Sequence, residues 1–165
     1  MTSTAILKAA AGSTALYVLV TTPLFALWEV VQLPLYTIWR EEGLGPSLTA
    51  ALHCTTGDAV IASMSMLASL SIAARCARLR SFGGVTAAVV IFGVLATAAL
   101  EIVSVRWLER WEYSSLMPVD PIFGIGLAPL AQWLVVPVIS LWLIRRQIIR
   151  FVSATRGGMS WRVGE

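Results

Sequence analysis

Leu52-His53-Cys54-Thr55-Thr56-Gly57-Asp58-Ala59-Val60-Ile61 sets a histidine and an aspartate inside a run otherwise apolar enough to cross a bilayer. An ionisable side chain near the middle of a membrane helix costs roughly 2.5 to 3.5 kcal/mol on insertion scales, so it usually marks a site or an ion or proton path. If this run is a membrane helix, Asp58 has to face protein rather than lipid. The rest of the chain must then supply the neighbours that make it tolerable.

The composition agrees with a membrane location. Hydrophobic residues make up 58% of the 165 positions and charged residues only 13%, with a mean hydropathy of +0.80, values of a polytopic membrane protein rather than a soluble domain. Four stretches reach the length of about 20 residues that spans hydrocarbon: residues 14–39, 47–74, 84–107 and 122–144. Backbone polar groups inside lipid have to be satisfied within the segment, so these are helices. The predicted fold class is all-α, a single membrane domain built as a four-transmembrane-helix bundle. The first stretch is too long for a cleaved leader, carries Trp28 and Glu29 inside it, and ends in no small-x-small motif.

Charge sets an expected orientation. Arg75, Arg78 and Arg80 crowd the connection between the second and third stretches, and Arg145, Arg146, Arg150, Arg156 and Arg162 crowd the tail 145–165. The positive-inside rule places that connection and both termini in the cytoplasm. The basic balance is thus topological and not a nucleic-acid signature. The basic tail, with Ile148, Ile149, Phe151 and Trp161 interleaved, is expected along the anionic inner leaflet. Cys54 and Cys76 lie at opposite ends of one helix, about 33 Å apart, and cannot pair within a molecule.

Polar residues recur on one side of each stretch. Thr22, Ala26, Glu29, Gln32 and Tyr36 share a face of the first; Cys54, Asp58, Ala62, Ser65 and Ser69 of the second; Val90, Gly93, Thr97, Glu101 and Ser104 of the third. His53 stands about 140° from Asp58 in a regular helix, so the two do not converge on one atom unless Gly57 relaxes the geometry. At 1.5 Å per residue from the outer boundaries, Glu29, Asp58 and Gln132 lie about 15 Å deep and His53 and Glu101 about 9 Å. The inner halves hold only hydroxyl and small residues. A polar cavity open to the outer compartment is the expectation, with Glu29, His53, Asp58 and Glu101 as ligand or metal candidates and Trp28, Gln32, Cys54, Trp111, Tyr113 and Gln132 in support. Three carboxyls in one depth band repel if ionised and share protons if not.

The blocks Trp28-Glu29 with Gln32-Leu33-Pro34-Leu35-Tyr36, His53-Cys54 with Gly57-Asp58, Trp111-x-Tyr113-Ser114 with Met117-Pro118, and Gly126-Leu127-x-Pro129-Leu130-x-Gln132-Trp133 together resemble a group of small bacterial four-span membrane proteins without an assigned activity. The resemblance covers roughly residues 28–137. It implies residence in the bacterial inner membrane and that these blocks belong together, with Glu101 its least secure member; it implies no reaction.

Three functions compete. A binding or transfer site would take a small polar ligand or a divalent metal, with carboxylate oxygens and one imidazole as donors, within a homo-oligomer or a larger membrane complex. Neither Glu-x-x-His nor a second histidine supports the metal. An intramembrane enzyme would use one carboxyl as acid and another group as base on a lipid or isoprenoid, yet no nucleophile motif or phosphate-cradling loop is present. A scaffold or accessory subunit would use the same side chains only to tie helices together.

Overall fold

The computed structural model describes residues 3–157, and these are helical apart from the connections. Helix α1 spans Ser3–Gln32, the short α2 Ile38–Glu41, α3 Leu44–Arg75, α4 Phe82–Ile102, α5 Leu127–Leu143 and α6 Arg145–Gly157. Helices α1, α3 and α4 are long and apolar enough to cross a membrane. Helix α5 has 17 residues, about 25 Å of rise against about 30 Å of hydrocarbon. It becomes a fourth candidate only together with α6, from which it is bent by 76°.

Helix α1 packs on α3 and α5, and α4 packs on the same two helices from the other side, so the four close a ring. Tyr17, Phe25, Met66, Leu70, Val85, Val89, Trp133 and Leu141 fill its centre. The inward face of α1 is Tyr17, Thr21, Phe25, Glu29 and Gln32; Thr22 and Ala26, expected inside, flank it. Tyr17 and Phe25 set which side of α1 turns in along its middle, while Glu29 and Gln32 stay on the inward face as expected. On α3 and α4 the expected stripes hold at Asp58, Ala62, Ser65, Ser69, Gly93, Thr97, Glu101 and Ser104, with Val89 in the place of Val90.

Several boundaries differ from the sequence reading. Helix α1 begins at Ser3 rather than Thr14 and ends at Gln32, where Pro34 turns the chain into one 3-10 turn, Leu33–Leu35. Pro23 lies within α1 without ending it. The last helix starts at Leu127, not Ile122, because residues 120–126 commit their backbone elsewhere. Asp120 Oδ2 accepts from the amides of Ile122 and Phe123 at 3.2 and 2.6 Å, Gly124 adopts φ +63°, and Arg106 donates to the Phe123 carbonyl at 2.7 Å. Amphipathic α6 turns its apolar face to the bundle. It folds across the end of the bundle and buries Ile148, Phe151 and Val152 in the core, while Arg162 and Trp161 fall outside the described residues. Between α3 and α4, Arg80 turns back to donate to the carbonyls of Ala73 and Ala74 at 3.2 and 3.0 Å. It thereby caps α3, and Ser81 caps α4 by accepting from Gly84 N at 2.9 Å.

Candidate functional site

At the end of the ring opposite the start of α1 and opposite α6 lies a cavity of about 170 Å³, lined by Glu29 and Gln32 of α1, His53, Cys54, Gly57, Asp58 and Ile61 of α3, Thr97, Leu100, Glu101 and Ser104 from α4 onward, Pro129 and Gln132 of α5, and Arg110 and Trp111 of the loop between α4 and α5. It exceeds the space one water needs more than tenfold. The four ligand candidates Glu29, His53, Asp58 and Glu101 all line it, as do Gln32, Cys54, Trp111 and Gln132. Trp28 and Tyr113 stand one layer behind: the Trp28 indole donates to Gln32 Oε1 at 3.1 Å, and the Tyr113 hydroxyl donates to Glu101 Oε2.

The members are not equivalent. Glu29, Asp58 and Glu101 are 6%, 8% and 7% exposed, whereas His53 is exposed at the rim. Helix α3 runs unbroken through Gly57, so the divergence of His53 and Asp58 expected for a regular helix persists. Gln132 Nε2 donates to Asp58 Oδ2 at 2.7 Å, and Glu29 lies against Asp58, Gln32 and Gln132. Two carboxyls side by side in a low-dielectric interior require a shared proton or a cation between them. Thr97 Oγ1 is buried in the wall without a hydrogen-bond partner, and the Trp111 indole N–H, also buried there, is directed at the Glu101 carboxyl. Toward the other end hydroxyls tie helices together, as where Ser140 donates to Thr21 Oγ1 at 2.9 Å.

The loop 108–126 is a cap whose Arg110 and Trp111 reach into the cavity wall. It is stitched to the break after α1: Thr37 N donates to the Glu112 carbonyl at 3.0 Å, Ser114 N to the Leu35 carbonyl at 2.9 Å and Ser114 Oγ to the Pro34 carbonyl at 3.0 Å. Because the helix ends at Gln32, the Pro34 and Leu35 carbonyls have no helical donor and are left for the cap. The end of α4 widens into a π turn, Val103–Trp107, bringing Ser104 to the cavity; such turns often occur at functional sites. Tyr113 joins cap and bundle, since its hydroxyl also accepts from Gly126 N at 2.8 Å. Burial, and then the Glu101 carboxyl, push this phenol well above its ordinary range and keep it a donor. Tyr113→Phe removes both bonds, so a loss of about 1 to 3 kcal/mol is expected, with faster amide exchange in the cap by mass spectrometry.

Among the described residues no three of His, Cys, Asp and Glu are placed to hold a metal ion. Cys54 and Cys76 are both free thiols. Arg110 and Thr97 were not among the expected site residues. Thr97 sits four residues before Glu101 on the polar face of α4, a signal present in the sequence, whereas Arg110 reads there only as loop charge. Comparison with protein-family models, curated proteins and solved structures returns no match.

Proposed function

We propose that the chain is a four-span protein of the bacterial inner membrane, with cytoplasmic termini and a cavity facing the periplasm, that binds a small ligand through a protonated amine placed between Glu29 and Asp58. The observation that carries this reading is the juxtaposition of two buried carboxyls from different helices on one cavity wall. Two carboxyl groups face each other on that wall, and charge-assisted bonds from them to a donor-rich cation are the strong ones available. A surface depression lined by Glu42, Thr49, His53, Arg110 and Trp111 shares three of these residues with the cavity and supplies a route from water.

The test is a titration of purified protein in nanodiscs with propylammonium, followed by tryptophan fluorescence, because Trp111 lines the cavity. Saturable binding is expected, weakened about tenfold or more by Asp58→Asn or Glu29→Gln, since hydrogen bonds to charged groups contribute about 1.5 to 3 kcal/mol. Equal affinity in wild type and both variants removes the reading. A second reading, acid–base chemistry on a lipid or isoprenoid, draws support from two carboxyl systems with different donors in one cavity, Asp58 with Gln132 and Glu101 with Tyr113. Accumulation of a precursor lipid in a deletion strain would favour it over binding alone.

A further inference from the structure

The cavity opens sideways as well as outward. His53 and Gly57 on α3 and Leu100 on α4 line it and are themselves exposed, so a gap between these two helices leads from the polar interior to the surface of the ring. A furrow of about 260 Å³ continues directly from that gap, lined by Ile61, Met64, Ser65, Ala68, Phe92 and Ala96. Ile61 belongs to both. The spacing explains the continuity. His53, Gly57, Ile61, Ser65 and Ala68 follow one another at three- and four-residue steps down α3, and Leu100, Ala96 and Phe92 do the same in the opposite direction on α4. Alanines and a serine make the floor, while Met64 and Phe92, 67% and 37% exposed, form the sides. From Ile61 to Ala68 the furrow runs about 10 Å away from the carboxyls.

We propose that this furrow holds the hydrocarbon chain of the ligand whose amine meets Glu29 and Asp58, so that the ligand is a single-chain amphiphilic amine that enters laterally from the bilayer. The inference rests on the amine-binding reading and names its ligand class. A water-soluble amine would use the outer depression and needs no opening between α3 and α4. A second transmembrane helix could lie over small residues, but it would leave the buried Thr97 hydroxyl, 8% exposed and without a partner on the cavity wall, unmatched; a polar head at the end of a chain reaches it. Because lipid solvates a free chain as well as the furrow does, the chain adds little affinity of its own. Its contribution is delivery in the plane of the membrane and orientation of the head toward the carboxyls.

The probe is tetradecylamine carrying a diazirine midway along its chain, added to the full chain in phosphatidylcholine nanodiscs, irradiated and mapped by peptide mass spectrometry. Labels are expected within residues 61–68 and 92–96. Asp58→Asn should reduce them about tenfold by removing a charged hydrogen-bond partner. Ala96→Phe or Ala68→Leu should reduce them comparably by filling the furrow, with propylammonium binding unchanged. Labels spread over the lipid-facing sides of α1 and α5 and indifferent to Asp58 would mean ordinary annular contact and overturn the inference, as would furrow-filling variants that label like wild type. In either case, propylammonium binding that still depends on Asp58 leaves the binding site standing; its loss as well would remove both.

Discussion

Gly93→Ala is expected to destabilise the bundle by about 3 kcal/mol or more, at or above the usual range for overpacking. A Cβ at this position would fall 1.8 Å from Cε3 and 2.3 Å from Cζ3 of Trp133, so one methyl group occupies space the indole already fills. The indole has nowhere to go. Trp133 is fully buried, and the Phe25 ring lies 5.0 Å away, centroid to centroid, tilted by 43°. Helix α4 would have to move off α5, and Thr97 and Glu101, one and two turns further along α4, would move with it. Denaturant unfolding in detergent micelles measures the loss, and Trp133→Leu in the Gly93→Ala background should recover part of it. Gly57→Ala is the control. Nothing lies within 4 Å of a Cβ there, and exchanging a helical glycine for alanine stabilises by roughly 0.5 to 1 kcal/mol. Comparable losses at both glycines would show that the Gly93–Trp133 contact does not hold α4 against α5.

The clustering of the cavity's polar residues was legible in the sequence because a helix is a ruler. Depths counted at a fixed rise placed Glu29, Asp58 and Gln132 at one level, and the same three residues meet across α1, α3 and α5. The stripe of α4 led to Glu101 in the same way. Hydropathy could not see where backbone groups prefer a side chain to the next helical turn, which is why residues 122–126 read as helix and are held instead by Asp120, Arg106 and Tyr113. Nor could it tell polar-inward from aromatic-inward on α1, where Phe25 and Tyr17 claim the core. The sideways opening escaped as well. It depends on Gly57 of α3 and Leu100 of α4 lining the same cavity while both stay exposed, a register that neither helix carries alone.

Replacing Glu29, Asp58 and Gln132 together with Leu, Leu and Met is expected to raise the stability of the bundle by about 1 to 4 kcal/mol while eliminating ligand binding, as found when well-packed apolar residues replace buried ionic clusters. Every member now needs a partner: Asp58 takes its bond from Gln132, Glu29 leans on both, and their side chains are at least nine-tenths buried. Removing one alone leaves the others unmatched, so Gln132→Met by itself should cost about 1 to 3 kcal/mol. The triple variant leaves nothing to match. A sign change between single and triple variants separates the proposed site from a scaffold. If the polar cluster served only to fasten helices, taking all of it away would cost at least as much as taking one member, since interhelical hydrogen bonds in membranes contribute about 0.6 to 2 kcal/mol each. A triple variant less stable than Gln132→Met would therefore assign these side chains to fastening. A more stable triple variant that no longer binds propylammonium would mean that the fold carries the cluster at a cost to its own stability, which structure alone gives no reason to retain.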